Sequence, residues 1–379
     1  MNLRERVLNR LARELVGRFH LPPAFFGYRH LRRVPLSQYD YRIIEPATVR
    51  HNPLPLNVTD RDALNRSMSV AGFAFYDVVE RPVAETAIAT VPDCRILAVP
   101  DEWGDRHYVI LAGGERVLQL RGTSFDRKFH LQLMQKPPEH PTRIKKAAWI
   151  LEQWDRNWAH WLQWHLPKIV LLQREMPGLK IIMPGSHRFA SVERSVQLLG
   201  VDPECLVPMS TAVLDVDELV VITMDDYRDT MLHRVRDAML HNPDPKRKIF
   251  LSRAKATWRR LINEEDCWNV LREHGYERIY MEDLDFDQQL ELMRETAVLF
   301  SVHGAGMANM IFAPQGLRVI EVYDASFPNP QYYALAVTLG HRYWLLHCRH
   351  EGEFRPGYHD ISVDMNEVID VVEQVDACH

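Results

Sequence analysis

The sequence predicts an α/β protein with two lobes, each built on a parallel sheet, that face each other across a cleft. Short apolar segments alternate along the chain with segments whose apolar residues recur at helical spacing. Strands that alternate with helices in this way form parallel sheets. A basic, proline-bearing segment, His241 to Lys248, interrupts the alternation and divides it into two halves. With 379 residues, 46% of them hydrophobic, the chain is long enough to bury two such cores.

Four regions follow from this division. Residues 1–80 are predicted to hold a basic N-terminal helix and irregular structure, and residues 81–242 to form the first Rossmann-like domain. Residues 243–345 are predicted to form the second Rossmann-like domain, and residues 346–379 a C-terminal tail with a terminal helix. Because ligands of open parallel sheets bind beyond the carboxyl ends of the strands, the functional residues are expected at those ends.

Composition excludes several classes of function. A net charge of −5 does not suggest a nucleic-acid-binding protein, so no nucleic-acid partner is expected. The five cysteines lack C-x-x-C spacing, which argues against a disulfide framework and a zinc site and for a reducing cytoplasm. The chain has no apolar run long enough to span a membrane and no apolar region of a signal peptide, so neither spanning nor export is expected.

Residues 1–33 combine a basic helical pattern with aromatic side chains. Apolar residues from Leu3 to Val16 fall on one helical face, arginines surround them, and Phe25, Phe26 and Tyr28 follow. A basic amphipathic segment of this kind suits peripheral contact with the inner face of a membrane. The alternative is a helix that packs on the protein's own surface and exposes its arginines to water.

The most informative segment of the second half runs from Phe300 to Asn309 with the sequence Phe-Ser-Val-His-Gly-Ala-Gly-Met-Ala-Asn. The apolar run before it predicts a buried strand, and the residues after the turn have helical spacing. A turn between a strand and a helix presents backbone N–H groups and a positive helix end, which suit phosphate. Gly304 and Gly306 allow a ligand to approach closely, and His303 adds a titratable ring. The alternative is a tight turn within any α/β core.

Two charged residues are predicted to lie beside this turn. Arg253 follows the apolar strand Ile249 to Leu251, and its planar guanidinium can donate two hydrogen bonds to one phosphate. Glu321 lies near the end of the strand after the turn, where a carboxylate can accept both hydroxyls of a ribose. The alternatives are a surface arginine and a strand-end carboxylate paired with a neighbouring base. Together the arginine, the glycine turn and the carboxylate indicate a nucleotide-diphosphate site.

The first half has its own informative segment, Trp154 to Lys168. Asn157 is a candidate N-cap, and the residues after it follow the spacing of a buried helix face that Pro167 interrupts or kinks. His160 falls off the apolar stripe in the first turn, where the helix dipole favours the neutral ring. A neutral imidazole in a cleft can act as a general base. The alternative is a histidine that hydrogen-bonds to a local carbonyl.

These segments, over about residues 147–345, resemble glycosyltransferase family 61, a group of inverting GT-B enzymes found in plants, animals and bacteria. The similar pieces are Asn157-Trp-Ala-His-Trp-Leu with Leu166-Pro-Lys168, Phe250-Leu-Ser-Arg253, the Asn263-Glu-Glu helix, Leu284-Asp-Phe-Asp-Gln-Gln289, and His303-Gly-Ala-Gly-Met-Ala-Asn309 with Glu321. The resemblance implies a bacterial-type member with a GT-B-like fold, in which two Rossmann-like domains face a cleft.

The implied activity is transfer of a hexosyl or pentosyl group, with inversion, from a nucleotide-diphosphate sugar to a glycan or lipid-linked acceptor. The donor is expected to be UDP-linked, and the expected context is synthesis of a cell-surface or capsular polysaccharide. Such a transfer needs a base opposite the leaving group and positive charge or N–H groups on the departing diphosphate.

The implied site residues form three sets. The catalytic set is His160, Arg253 and His303. The set that binds the nucleotide sugar is Ser252, Arg253, His303, Gly304, Ala305, Gly306, Asn309 and Glu321. The acceptor-side set is Asn157, His160 and Trp161. The first lobe is thus expected to hold the acceptor and the second the donor.

No metal or other cofactor is expected. Asp283, Asp285 and Asp287 look like a doubled Asp-x-Asp motif, but they are predicted to lie at a helix start rather than around a cation. Two rival readings stay open: an epimerase that acts on the nucleotide sugar without an acceptor, and a non-catalytic partner subunit of a glycosyltransferase complex.

Overall fold

The computed structural model describes residues 32–59, 80–100, 106–114, 116–120, 141–152, 157–185, 190–324, 326–327, 329–355 and 357–378. The predicted helix of residues 3–18, and with it almost all of the predicted membrane-contact segment, lies outside these ranges.

The strands in chain order are β1 (Arg32–Val34), β2 (Asp40–Glu45), β3 (Thr48–His51), β4 (Glu80–Val83), β5 (Thr86–Pro100), β6 (Arg106–Ala112), β7 (Arg116–Leu118), β8 (Thr142–Trp149), β9 (Ile181–Met183), β10 (Leu206–Pro208), β11 (Val213–Thr223), β12 (Arg247–Leu251), β13 (Tyr276–Ile279), β14 (Thr296–Val302), β15 (Arg318–Tyr323), β16 (Arg342–His347), β17 (Arg349–Glu351) and β18 (Asp360–Ser362). The α-helices are α1 (Trp158–His160), α2 (Leu166–Glu175), α3 (Ala190–Leu198), α4 (Asp229–Met239), α5 (Glu264–Glu273), α6 (Phe286–Glu295), α7 (Gln331–Thr338) and α8 (Met365–Ala377). A π-helical segment, Trp161–His165, joins α1 to α2, and 3₁₀ helices occupy Leu36–Gln38, Pro203–Cys205, Met281–Asp283 and Ala305–Phe312.

The second half forms the parallel sheet that the sequence predicts. Its strands lie in the order β13-β12-β14-β15-β16, and every neighbouring pair is parallel. Alternate residues face opposite sides, so Phe250 and Phe300 pack against α5 and α8, whereas Leu251 and Leu299 face the rest of the molecule. The terminal helix predicted at residues 366–375 is α8, which covers one face of this sheet.

The first half is a mixed sheet, and the prediction of a purely parallel one is wrong. Strands β11, β8, β9 and β10 are parallel in that order, but β5 is antiparallel to β2, β6 and β11. Strands β6 and β7 are joined by a short turn at Gly113 and Gly114, both at positive φ, and a turn this short can join only antiparallel neighbours.

Part of the region predicted to be irregular belongs to this sheet. Strand β2 pairs with the start of β5, and β1 pairs with β7, while β3 and β4 form a separate two-stranded sheet. The expectation of irregular structure up to residue 80 is therefore wrong for these stretches. The reason is that β2 is a half-exposed strand, so its pattern lacks the apolar run that identifies a buried one.

One hydrophobic core extends from the first sheet to the inner face of the second. It includes Trp149 and Val220 from the first half and Leu299 and Phe312 from the second. A smaller cluster lies on the outer face of the second sheet, under α5 and α8. No helix among the described residues is long and apolar enough to cross a membrane.

Candidate active site at the carboxyl edge of the second sheet

The strand order of the second sheet places a switch point between β12 and β14. In chain order the strands are arranged 2-1-3-4-5, so the connections that leave β12 and β14 run to opposite sides. A crevice opens beyond the carboxyl ends of such a pair and is the usual ligand site of the fold. Arg253 follows β12 and His303 follows β14, so the structure brings these two predicted residues to the same crevice.

The Arg253 side chain lies directly against Gly304. A Cβ atom built on Gly304 would be 1.9 Å from Nη1 of Arg253, a distance that no side chain tolerates. The φ of Gly304 is −178°, which is extended backbone, so glycine is required here for space rather than for conformation. Arg253 donates from Nε to the carbonyl of Arg259 at 3.3 Å and from Nη2 to the carbonyl of Trp258 at 2.8 Å. Its charge is thus held in place by neutral backbone groups.

A second arginine lies beside it. Arg259 donates from Nη1 to the carbonyl of Gly357 at 3.2 Å, and its backbone has a φ of +56°, in the left-handed region. Within the described ranges, neither Arg253 nor Arg259 forms an ion pair with a carboxylate. Burial, followed by the nearby charge of Arg259, lowers the pKa of Arg253 to about 10, and burial lowers the pKa of Arg259 as well. Arg253 remains charged at neutral pH, because a pKa of about 10 is still well above 7.

His303 is held by a buried carboxylate. Its Nδ1 is 2.5 Å from Oε1 of Glu321, and the hydroxyl of Tyr343 donates to Oε2 of the same carboxylate at 2.6 Å. A carboxylate accepts hydrogen bonds, so the imidazole donates from Nδ1 and Nε2 is left to accept or hold a proton. Burial, the largest effect, lowers the pKa of His303, while the charge of Glu321 opposes that shift. The His303 ring also lies 4.7 Å from the ring of Tyr332, centroid to centroid.

Glu321 is predicted to accept ribose hydroxyls, and the structure shows its carboxylate bonded to protein groups. Its side chain is fully buried, and its two oxygens are already bonded to His303 and Tyr343. Because no part of the Glu321 side chain is exposed, its observed contacts position His303 rather than face the crevice.

Two other residues of the predicted set form hydrogen bonds within the protein. The hydroxyl of Ser252, itself buried, donates to Glu264 at 2.5 Å and accepts from the backbone N–H of Ala254 at 3.1 Å. Asn309 is buried, and its amide donates to the carbonyl of Gly306 at 3.0 Å. Ser252 and Asn309 are thus both buried and bonded to protein groups, and their direct contact with a ligand stays a prediction. Ala305 and Gly306 are half-buried at the start of the 3₁₀ helix, next to Gly304.

The acceptor-side segment packs on this 3₁₀ helix. Nε1 of Trp158 donates to Oδ1 of Asn309 at 3.3 Å, which ties the start of α1 to the turn in the second half. Asn157 is the predicted N-cap, and its Oδ1 accepts from the backbone N–H groups of Ala159 at 2.9 Å and His160 at 3.3 Å. The His160 ring is half-buried and stacks on Trp164, with centroids 3.8 Å apart.

Trp161 lies in the core rather than at the site. It is fully buried, and its Nε1 donates to the hydroxyl of Ser195 at 2.9 Å. In this structure Trp161 therefore has no exposed surface for an acceptor, and its predicted acceptor-side role stays a prediction. Pro167 does not break the helix, because the π-helical turn before it removes the regular hydrogen bond that proline cannot form.

The three aspartates of the Asp-x-Asp-like segment have separate partners. Asp285 caps α6, Asp283 accepts from Lys255 at 2.5 Å, and Asp287 pairs with Arg194 at 2.8 Å. Across the part of the chain that the structure describes, no group of three or more acidic, histidine or cysteine side chains could hold a metal ion.

Sequence reasoning missed three members of the site. Arg259 belongs to a run of basic residues in which nothing marks one as buried, although its closeness to Arg253 was a signal. Tyr332 and Tyr343 come from α7 and β16, and only the fold brings them to His303 and Glu321.

The fold and site define an α/β protein with two half-buried arginines and a positioned histidine at the switch point of a parallel sheet. Residues 158–320 match the family model described as Glycosyltransferase 61, so the chain carries a domain of that glycosyltransferase family. The match includes Arg253 and His303 and extends to β15.

The curated relatives that the chain is similar to carry one description, EGF domain-specific O-linked N-acetylglucosamine transferase. The protein of Drosophila melanogaster is 29% identical over 164 residues, which is 39% of this chain and 31% of that protein. The Gallus gallus protein is 23% identical and the Rattus norvegicus protein 24% identical, each over 99 residues, or 25% of this chain. Those matches cover 18% and 19% of the relatives, so the chain spans less than a third of the curated proteins it matches.

Proposed function

We propose that the protein transfers a sugar from a nucleotide-diphosphate sugar to an acceptor hydroxyl, with inversion at the anomeric carbon. The observation that carries this proposal is Arg253 pressed against Gly304 at the switch point of the second sheet, with no carboxylate partner among the described residues. A guanidinium so placed can stabilise the charge that develops on a departing diphosphate.

In the proposed reaction the acceptor oxygen attacks the anomeric carbon from the face opposite the diphosphate. Its proton passes to His160, the bond from the anomeric carbon to the diphosphate oxygen breaks, and the electron pair leaves with that oxygen. Arg253 and the backbone N–H groups after His303 bind the departing diphosphate. His303, positioned by Glu321 and Tyr343, holds the donor beside them.

The GT-B arrangement belongs to the same proposal. The second sheet would hold the donor, and the segment from Asn157 to His160 would face it from the first half. The contact between Trp158 and Asn309 supports this, because it joins that segment to the donor-side turn. Arg253 supplies positive charge at the diphosphate, which supports transfer without a metal ion.

Donor and acceptor are proposed by class. The donor is a UDP-linked sugar, and the description of the curated relatives makes UDP-N-acetylglucosamine the first one to test. The acceptor is a glycan or a lipid-linked glycan, in the synthesis of a cell-surface or capsular polysaccharide, at the cytoplasmic side of a membrane.

The test is a turnover assay with a panel of UDP-sugars and glycan acceptors, run for the wild type and for Arg253→Ala. Loss of one charge-stabilising group should lower kcat by about 10²–10³-fold while the fold is retained. Turnover should also persist in excess chelator. If the activity of Arg253→Ala is within threefold of wild type, the role assigned to Arg253 is wrong. If activity is lost in chelator and restored by manganese, the proposal of a metal-independent reaction is wrong.

The same assay separates the rival functions. An epimerase would convert the nucleotide sugar without acceptor and without releasing nucleotide. A non-catalytic subunit would give neither product with any donor of the panel.

A further inference from the structure

The segment after β12 turns back over Arg253 and carries Arg259 at its end. The carbonyls of Trp258 and Arg259 accept hydrogen bonds from Arg253, while the side chain of Arg259 reaches the carbonyl of Gly357. The two guanidinium groups are therefore brought to the same place by one short segment.

We propose that Arg253 and Arg259 together form a clamp for the diphosphate of a nucleoside diphosphate, whose base stacks on the exposed pair Trp258 and Tyr358. This inference rests on the proposed function and names the residues that hold the nucleotide. Arg259, Trp258 and Tyr358 thereby become binding residues alongside Arg253.

Charge is the first reason. Two like charges lie close together and largely buried, and within the described ranges only backbone carbonyls satisfy them. The charge of Arg259 adds to burial in lowering the pKa of Arg253. A buried cation pair of this kind is unfavourable by itself and is stabilised by an anion that contacts both members.

Unused hydrogen-bond donors are the second reason. A guanidinium has five N–H groups in a fixed fork, and each arginine here uses only one or two of them on carbonyls. The Nε of Arg259 is buried, and no group among the described residues accepts a hydrogen bond from it. Two forks with free donors match the two phosphoryl groups of a diphosphate, which offer several acceptor oxygens.

The backbone supplies a third reason. Arg259 holds a φ of +56°, a conformation that long side chains rarely adopt. Strained residues of this kind cluster at ligand sites, where the fold holds them in place. In this protein the left-handed residue is the one whose carbonyl accepts from Arg253 and whose charge acts on it.

The position proposed for the nucleobase follows from the neighbours of Arg259. Trp258 precedes it, and Tyr358 follows the glycine whose carbonyl it contacts. These two aromatic side chains are 46% and 57% exposed, and their rings meet edge to face with centroids 5.6 Å apart. An exposed aromatic ring beside a phosphate site can stack on a nucleobase. Aromatic side chains make the same contact in proteins that bind single-stranded nucleic acids.

The test measures binding of two probes, inorganic pyrophosphate and UDP, by calorimetry. Arg259→Asn removes the guanidinium and retains a residue that tolerates positive φ. Arg259→Asn should weaken the binding of both pyrophosphate and UDP by at least tenfold. Trp258→Ala should weaken UDP by about tenfold and leave pyrophosphate unchanged, because only UDP has a base to stack.

The matched control is Arg260→Gln. Arg260 is the next residue in the chain, but it is exposed and paired with Asp360 at 2.6 Å, so both probes should bind as they do to the wild type. Circular dichroism checks that each variant is folded, and Arg259→Lys replaces Arg259→Asn if the latter is not.

Each outcome decides a separate claim. If the wild type binds neither probe, the proposed function is wrong. If UDP binds the wild type and the Arg259 variant equally, the clamp is wrong while the proposed function stands. If Trp258→Ala weakens pyrophosphate as much as UDP, or weakens neither, the base position is wrong.

Discussion

At the scale of single residues, the site depends on a glycine at position 304, because this residue has no Cβ atom. Arg253 can lie against the turn because Gly304 leaves room for Nη1, and the carbonyls of Trp258 and Arg259 fix the other nitrogens. Gly304 is in extended backbone, so any residue could adopt its conformation. The structure therefore explains glycine at this position by the close approach of the arginine.

Replacing Gly304 by alanine should consequently move Arg253 without disturbing the fold. The new Cβ would lie 1.9 Å from Nη1, so the guanidinium must leave its position. Binding of a nucleoside diphosphate should weaken by about 10- to 100-fold, the value of one or two hydrogen bonds to a charged group. Calorimetry with UDP measures the loss.

Gly306→Ala is the comparison, because it keeps the backbone N–H groups of the turn and its Cβ would meet the side chains of Met281 at 3.3 Å and Leu251 at 3.8 Å rather than Arg253. UDP affinity that falls equally in both variants would mean that the turn as a whole, and not the room for Arg253, is responsible.

The His303 contact also belongs to this scale. Glu321 and Tyr343 act through His303: they fix which ring nitrogen carries the proton and leave Nε2 toward the site. No spacing rule reveals this arrangement, because Glu321 and Tyr343 lie on neighbouring strands whose register puts them side by side only in the folded sheet.

At the scale of elements, the 3₁₀ helix Ala305–Phe312 connects the turn to the rest of the molecule. Asn309 joins it to Trp158, and the ring of His341 donates from Nε2 to the carbonyl of Met310 at 3.0 Å. Burial lowers the pKa of His341 to about 4. The helix is thus held in part by an imidazole that must remain neutral.

The stability of the protein should accordingly fall in mild acid through His341. The unfolded chain binds a proton there below pH 6.5, whereas the folded protein does so only near pH 4, so the stability is lost between these values. Replacement by glutamine retains an N–H donor for Met310 but does not titrate. Between pH 7 and pH 5 the free energy of unfolding should fall by about 2 kcal/mol less in His341→Gln than in the wild type.

Urea unfolding at several pH values measures this difference. His350→Gln serves as the control because His350 is exposed. The free energy of unfolding of this variant should change with pH as it does in the wild type. Parallel loss of stability in the wild type and His341→Gln would show that other buried histidines dominate.

The helix that begins at Asn157 offers a second test at this scale. Its cap satisfies the N–H groups of Ala159 and His160, so Asn157→Ala should lower the free energy of unfolding by about 1 kcal/mol. Asn157→Ser keeps a capping oxygen and should recover most of that loss. Equal stability of the two variants would show that the packing of Trp158 and Trp161, rather than the cap, sets the start of the helix.

At the scale of the whole molecule, the sequence predicts the second half far better than the first. Strands such as β12 and β14 are continuous apolar runs bounded by turn residues, and helices such as α6 carry a capping box, so both can be identified locally. The first sheet depends on β5, whose two edges pair with β2, β6 and β11. Pairing between segments far apart in the chain leaves no local pattern, and half-exposed strands such as β2 lack an apolar run.

The same reasoning applies to the site. Arg253, His303 and Gly304 could be predicted because each directly follows a recognisable strand. The roles of Ser252, Asn309 and Trp161 could not, because whether a polar group is free depends on partners such as Glu264, Trp158 and Ser195 that come from other elements. Glu264 accepts a hydrogen bond from Ser252, Trp158 donates to Asn309, and Ser195 accepts from Trp161.

The continuous core predicts that the two halves unfold together. Residues of both sheets belong to one hydrophobic cluster, and α1 packs on the 3₁₀ helix of the second half. A large apolar contact between two halves opposes their independent opening.

Hydrogen exchange should therefore give the same free energy of opening for the slowest amides of β11, in the first half, and of β14, in the second. Saturating UDP, which is proposed to contact only the second half, should raise both values by the same amount, because it stabilises the one folded state from which both strands open. The separate pair β3 and β4, whose residues are mostly exposed, serves as the reference for local opening and should not respond. A rise confined to β14 would mean that the halves are independent units and that the shared core does not couple them.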